Sequence, residues 1–142
     1  MIYCIDTNVV VDALRVPTEL DQLKAFLSWA LPTTVISSIV AAELTAGART
    51  GKAMRALDAA FLAPFERRGR IVAPTAAAWR RTGILIGRLG PVGLSASRQN
   101  DALLAAQARE RGWTLITRDR DFEMLRAQVG GLKIAAPFPQ RP

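Results

Sequence analysis

The sequence contains no histidine among its 142 residues, and it has only one cysteine and three lysines. The absence of histidine excludes Ser/His and Cys/His nucleophilic pairs, the usual neutral-pH general base, and zinc sites that depend on imidazole. Cys4 is the only cysteine, so an internal disulfide is excluded. We expect its side chain to be buried as a small hydrophobic residue. Any hydrolysis would therefore depend on carboxylates, with or without a hard metal ion.

Long hydrophobic runs are also missing. No apolar stretch approaches the ~20 residues that a membrane-spanning helix needs. No basic segment stands before the apolar residues 1–5, so no secretory signal is visible and we expect a cytoplasmic protein without a membrane partner. With 50% hydrophobic and 22% charged residues, the composition is typical of a folded chain, and we predict a single domain over residues 1–142.

The net charge of +7 is concentrated in the middle of the chain. Residues 49–98 hold ten basic and two acidic side chains, so we predict a polyanion-binding surface in this segment. Because 16 of the 19 basic residues are arginine, a compositional bias could also produce the pattern. The candidates for nucleic-acid contact are Arg49, Arg80, Arg81, Arg98 and Arg118.

Short β-branched segments alternate with helical patterns along the chain. The predicted strands are residues 2–5, 33–38 (TTVISS), 113–117 (WTLIT) and 132–137 (LKIAAP), with an extended connector at 70–74 (RIVAP). The predicted helices are 18–31, 39–49, 52–62 (ended near Pro64), 75–89 (with Trp79, Gly83 and Ile86 on one stripe) and 100–112, and residues 90–99 predict a surface loop. This alternation predicts an α/β domain with a mainly parallel sheet and helices on both faces.

Four carboxylates lie at or near the ends of predicted strands or the starts of neighbouring helices: Asp6, Glu43, Asp101 and Asp119. In parallel sheets, functional groups collect at the carboxyl ends of the strands. Carboxylates gathered there without a lysine or histidine would repel one another and raise one another's pKa. A structural role does not explain the free-energy cost of this repulsion. Bound Mg²⁺ or Mn²⁺ would remove that cost, and the pattern therefore predicts metal-assisted attack on a phosphodiester.

Each acid also has a structural interpretation. Asp101 could be a helix-starting acid favoured by the helix dipole, and Asp6 could begin an Asx turn. The structural interpretation is weakest for Glu43, because its neighbours are apolar or small and a charge in such surroundings usually has a partner. In TRDRDF, Asp119 and Asp121 could be solvated turn acids. At ~3.3 Å per extended residue, their offset of two residues would separate them by more than about 6 Å, so we predict Asp119 as the metal ligand and Asp121 as a local helix cap.

The sequence resembles PIN-domain ribonucleases, and among them the toxin subunits of VapBC-type toxin–antitoxin modules. The likeness runs through IDTNVVVDAL, ISSIVAAELTAGA and NDALLAAQARERGWTLITRD. It implies a parallel sheet of about five strands, catalytic metal-binding acids at Asp6, Glu43, Asp101 and Asp119, and bracing polar residues at Thr7 and Asn8. Many relatives carry Asn at the position of Asp119.

The resemblance also implies a function. It points to a Mg²⁺- or Mn²⁺-dependent endoribonuclease that cuts single-stranded RNA and acts as the toxin of a toxin–antitoxin pair. The implied partners are the RNA substrate, a second copy of the chain, and a cognate antitoxin whose C-terminal segment blocks the acidic site.

Two other functions stay open at this point. One is an aspartyl phosphoacceptor or phosphatase-like domain, although such proteins need a lysine after a later strand, and the only lysines are Lys24, Lys52 and Lys133. The other is a non-catalytic RNA-binding domain of the PIN type. Such a domain would bind RNA but no Mn²⁺.

Overall fold

The computed structural model describes residues 1–90 and 96–142. Within them, five strands form one parallel sheet in the order β3-β2-β1-β4-β5. The strands are β1 (Tyr3–Ile5), β2 (Thr34–Ser37), β3 (Ile71–Val72), β4 (Thr114–Ile116) and β5 (Lys133–Ala135). The predicted α/β fold with a parallel sheet of about five strands is confirmed.

Helices connect the strands. They are α1 (Thr7–Arg15), α2 (Pro17–Ala30), α3 (Ser38–Gly47), α4 (Gly51–Leu57), α5 (Ala63–Arg67), α6 (Ala76–Leu89), α7 (Ala96–Arg111) and α8 (Asp121–Gln128). A 3₁₀ turn at Leu31–Thr33 precedes β2, and a π-helical turn at Asp58–Leu62 joins α4 to α5. No helix in the described part of the chain is long and apolar enough to cross a membrane.

The order of the strands creates a crevice at one edge of the sheet. From β1 the chain proceeds to β2 and β3 on one side, and it then returns to place β4 and β5 on the other side of β1. Because crossovers between parallel strands are right-handed, the helices of these two halves cover opposite faces of the sheet. The chain therefore leaves the carboxyl ends of β1 and β4 in opposite directions, which opens a ligand-binding crevice between them.

The core lies on both sides of the central strands. All three residues of β1 are buried, and so are the six apolar residues of α7 that pack beneath the crevice: Ala102, Leu103, Leu104, Ala105, Ala106 and Ala108. Burying one such leucine stabilises the fold by roughly 1.5–3 kcal/mol. Burial of these residues holds α7 in place, so its polar residues have fixed positions.

One predicted helix end was wrong, and two further features of the helices were not predicted. The stripe of Trp79, Gly83 and Ile86 is not the buried face of α6, because Trp79 is 53% exposed and the buried positions are Ala78, Thr82 and Leu85. The helical segment predicted to end near Pro64 instead continues to Arg67. Pro64 lies in the first turn of α5, where its missing backbone N–H would have no hydrogen-bonding partner in any case. Finally, α1 follows β1 directly despite its run of three valines, which disfavour helix.

Two predicted irregular segments also differ. RIVAP is not a connector, because Ile71 and Val72 pair in parallel with Ile36 and Ser37 and form the edge strand β3. The loop predicted for residues 90–99 ends by Ala96, where α7 begins, and residues 91–95 lie outside the described part of the chain. Asp101 therefore lies more than one turn inside α7 rather than at its start.

Candidate metal centre

An acidic pocket of about 320 Å³ occupies the crevice at the carboxyl ends of β1 and β4. Five of its lining residues are the acids that the sequence analysis discussed at this edge: Asp6, Glu43, Asp101, Asp119 and Asp121. The rest of the lining consists of Thr7, Asn8, Val11 and Asp12. The structure thus brings all four predicted acids together, and it adds Asp12 and Asp121 to them.

Asp6 is the most deeply held acid of the pocket. It lies between β1 and α1 and is only 5% exposed. Its Oδ1 accepts a hydrogen bond from the backbone N–H of Thr7 at 2.8 Å, which caps α1, and its Oδ2 accepts one from the Thr117 hydroxyl at 2.7 Å. The pKa of Asp6 is raised to about 6, chiefly by burial and in smaller part by the nearby carboxylates of Glu43 and Asp119, against the lowering effect of these two hydrogen bonds. Both oxygens are therefore fixed in orientation, yet the charge is poorly compensated.

Thr117 organises the first acid, a role that the sequence analysis missed. Besides donating to Asp6, its Oγ1 accepts hydrogen bonds from the Asn8 side chain at 3.4 Å and from the Asp119 backbone N–H at 3.0 Å. The hydroxyl thus joins the ends of β1 and β4. A threonine at the end of a strand looks like an ordinary strand former, so its sequence position carries no signal for this role.

Thr7 and Asn8 contact the acids of the pocket in different ways. The Thr7 hydroxyl donates to Glu43 Oε1 at 2.9 Å, so Thr7 positions the second acid with its side chain and the first acid only with its backbone. Asn8 reaches Asp6 indirectly, through the hydroxyl of Thr117. Glu43 therefore has a hydrogen-bonding partner, as expected for a charge among apolar neighbours.

The remaining three acids form a tight group. One carboxylate oxygen from each of Asp101, Asp119 and Asp121 lies within 4.8 Å of the other two. The pKa of Asp101 is raised to about 7, chiefly by burial, with smaller contributions from the carboxylates of Asp6, Asp119, Glu43 and Asp121.

The prediction that Asp121 lies too far from the other acids was wrong. The chain does not stay extended after β4, because α8 begins at Asp121 and the Asp119 carboxylate accepts the Asp121 backbone N–H at 2.9 Å. Asp119, predicted as a metal ligand, thus also caps the start of α8, and Asp121, predicted as the cap, joins the acid group. The side chain of Asp119 satisfies a backbone donor at the start of α8, and the side chain of Asp121 reaches the acid group.

The donor set of the pocket fits a hard divalent cation. All the charged side chains that line it are carboxylates, which are oxygen ligands of the kind that Mg²⁺ and Mn²⁺ prefer. Three of their oxygens are close enough to be bridged by one ion with ligand distances of roughly 2.0–2.6 Å. A cation would also offset the cost expressed by the raised pKa values of Asp6 and Asp101. Asp6, Glu43, Asp101, Asp119 and Asp121 are therefore the residues that could hold it.

The arginines named as nucleic-acid candidates do not share one location. The Arg118 guanidinium binds Asp12 at 3.1 Å and Glu19 at 2.5 Å, so it is engaged beside the pocket. Arg80 and Arg81 line a separate depression on α6, Arg49 is exposed after α3, and Arg98 is half-buried in α7. The five candidate arginines therefore lie on several elements, and the polyanion-binding surface stays a prediction.

The fold and the pocket together define an α/β protein with an acidic site at the carboxyl ends of β1 and β4, where the order of the strands reverses. The PIN domain family model matches residues 3–127, and the chain belongs to this family. No significant match to a curated protein sequence is found.

Solved structures with the same fold come from toxin–antitoxin complexes. A chain of VapBC2 from Rickettsia felis, bound to a DNA fragment from its promoter, is 27% identical with a TM-score of 0.67, and the match covers 96% of this chain and 98% of that one. A chain of a toxin–antitoxin complex from Klebsiella pneumoniae is 25% identical with a TM-score of 0.67, covering 97% and 99%. A chain of DNA-bound VapBC from Salmonella typhimurium is 22% identical with a TM-score of 0.73, covering 97% and 99%.

Proposed function

We propose that this protein is a Mg²⁺- or Mn²⁺-dependent endoribonuclease that cuts single-stranded RNA and acts as the toxin of a toxin–antitoxin pair. The observation that carries the proposal is the convergence of Asp6, Glu43, Asp101 and Asp119 in one pocket that is lined by no cationic side chain among the described residues. Membership of the PIN domain family and the likeness to chains of toxin–antitoxin complexes support it.

The residues of the pocket have distinct tasks in this proposal. The hydrogen bonds from Thr7 and Thr117 hold both oxygens of Asp6, so a lone pair of each carboxylate oxygen has a fixed direction. Thr7 likewise fixes Glu43 through Oε1. When bound, the metal ion would lower the pKa of a coordinated water and neutralise negative charge on the phosphodiester. Without a cation, the carboxylates that line the pocket would repel the phosphate, so substrate binding at this pocket depends on the ion as well.

The test is cleavage of a single-stranded RNA by variants of the pocket. Asp6→Asn and Asp101→Asn should each abolish cleavage and toxicity while circular dichroism shows the native fold, because each removes a charged metal ligand. Asp21→Asn, which changes an exposed acid on α2, is the matched control and should behave like the wild type. Wild-type activity in both pocket variants would remove the metal centre from the account.

This protein has a groove beside the acidic pocket that suits binding of the proposed antitoxin. An apolar groove of about 300 Å³ runs between α1, α3 and α4, and it shares Val11 and Glu43 with the acidic pocket. Its floor includes small residues, and Leu14 on its rim is 48% exposed. A segment with an apolar face in this groove and a basic side chain at its end would reach Glu43 and block the pocket.

The partner proposals are tested by co-purification. The small protein encoded by the neighbouring reading frame should bind the wild type and inhibit cleavage, and Leu14→Glu should weaken that binding without changing Mn²⁺ affinity. Equal binding by Leu14→Glu would place the antitoxin elsewhere. Light scattering should give the mass of two chains for the free protein, since we also propose a homodimer, and a mass of one chain would contradict this.

The lining of the pocket gives no support to the phosphoacceptor alternative. None of Lys24, Lys52 and Lys133 is among the residues that line it, and both oxygens of Asp6 already accept hydrogen bonds. The non-catalytic RNA-binding alternative is addressed directly by Mn²⁺ titration, since it predicts no metal binding.

A further inference from the structure

A second charged surface lies away from the acidic pocket. A depression between α6 and the end of α8 is lined by Arg80, Arg81 and Arg88, together with the exposed Ile84 and four other residues, none of them acidic. It shares no lining residue with the acidic pocket. We call these three arginines and Ile84 the α6 patch.

The charge of the α6 patch is not compensated locally. All three arginines are exposed, and none forms an ion pair within residues 1–90 and 96–142. The sequence around them also carries charge of only one sign, because residues 67–100 contain seven arginines and no acidic residue. Like charges held on one helix face repel one another, so this arrangement favours an anionic ligand.

The patch lies at the same level of the fold as the acidic pocket. The Thr75 hydroxyl, which caps α6, donates to Glu110 near the end of α7 at 2.7 Å, so the two packed helices run in opposite directions. Nine residues lead from Thr75 to Ile84 and nine lead back from Glu110 to Asp101, about 13.5 Å in each case at 1.5 Å per residue. Ile84 is therefore level with Asp101 along the helix pair, separated from it by roughly one to two helix diameters, ~10–20 Å.

We propose that the α6 patch binds the backbone of single-stranded RNA at a distance from the cleavage site, with Ile84 in apolar contact with a base. This inference rests on the proposed function. At ~3.4 Å per stacked nucleotide, a gap of ~10–20 Å corresponds to about three to six nucleotides. An RNA held at both places must be longer than that, which makes the patch a determinant of substrate length. Because the patch shares no residue with the apolar groove, RNA would stay bound to it while an antitoxin occupies the pocket.

The test measures binding of a 16-nucleotide RNA to the cleavage-deficient Asp101→Asn chain at several salt concentrations. Adding Arg80→Ala and Arg81→Ala should lower the slope of log affinity against log salt by about 1.4, because each phosphate contact on a single strand contributes about 0.7. The affinity ratio between parent and double variant should then shrink about sevenfold between 50 and 200 mM salt. Arg80→Lys with Arg81→Lys should restore most of the slope, since lysine keeps the charge.

Matched controls separate the possible outcomes. Arg67→Ala with Arg111→Ala removes the same charge from two exposed positions on other elements and should change the slope less. Equal slopes for both alanine pairs would overturn the α6 patch while leaving the proposed nuclease intact. If the alanine pair at 80 and 81 instead disrupts self-association or antitoxin binding with RNA binding unchanged, the patch is a protein interface and the proposal is wrong. If Asp101→Asn binds no RNA and the wild type cuts none, the proposed function fails as well.

Discussion

Replacing Asp101 by asparagine should stabilise the metal-free protein at pH 8 although it removes activity. The pKa of Asp101 is raised to about 7 from an ordinary value of 3.8, so the folded state holds its proton more tightly than the unfolded state between these values. The free energy of unfolding must therefore fall as the pH rises from about 4 to about 7, and it stays low above that range. Asparagine cannot ionise, so the variant lacks this loss.

The size of the effect follows from the shift and from solvent screening. A shift from 3.8 to about 7 corresponds to about 4 kcal/mol without screening. Because Asp101 is only partly buried, solvent reduces this contribution, and we expect about 1–2 kcal/mol. For a chain of this length, that difference raises the melting temperature by about 3–7 °C.

The assay is thermal unfolding in EDTA, followed by circular dichroism at pH 5 and pH 8. Asp101→Asn should melt above the wild type at pH 8, with a smaller difference at pH 5, and Asp21→Asn should follow the wild type at both. Mg²⁺ should raise the melting temperature of the wild type more than that of the variant. A variant that melts below the wild type at pH 8 would mean that the Asp101 carboxylate stabilises α7, and the argument from repulsion would be refuted.

Two further predictions concern residues that the sequence analysis assigned incompletely. Thr117→Val should keep the fold but lower cleavage about 10–100-fold, because Asp6 loses a hydrogen bond that orients it. Thr117→Ser should recover most of that activity, and wild-type cleavage by the valine variant would show that Thr117 does not support the site. Asp121→Asn should weaken Mn²⁺ binding in calorimetry by at least several-fold, whereas the exposed Glu123→Gln should not; an unchanged Mn²⁺ affinity in Asp121→Asn would leave Asp119 as the ligand of the pair.

The sequence predicted the position of the acids because a simple topological rule applies. Asp6 and Asp119 follow strands whose β-branched, apolar residues are easy to recognise, and parallel strands bring their carboxyl ends to one edge. Glu43 was found because a charge in an otherwise apolar helix needs a partner, and Thr7 supplies it.

What the sequence did not predict depends on geometry over a few residues or between helices. The distance argument for Asp121 assumed an extended chain after β4, but α8 begins there and turns the side chain back. The sequence pattern of α6 did not identify its buried face, because the large apolar side chain of Trp79 is exposed while the helix buries Ala78, Thr82 and Leu85. The apolar groove results from the packing of α1, α3 and α4, and no local pattern encodes it.

The most direct test of the central claim is RNA cleavage with the divalent ion controlled. The wild-type protein should be inactive on single-stranded RNA in excess EDTA, and Mg²⁺ or Mn²⁺ should restore cleavage where Zn²⁺ alone does not, because the ligands at the pocket are all oxygens. Full activity in excess EDTA would contradict the assignment of the acidic pocket as a catalytic metal centre.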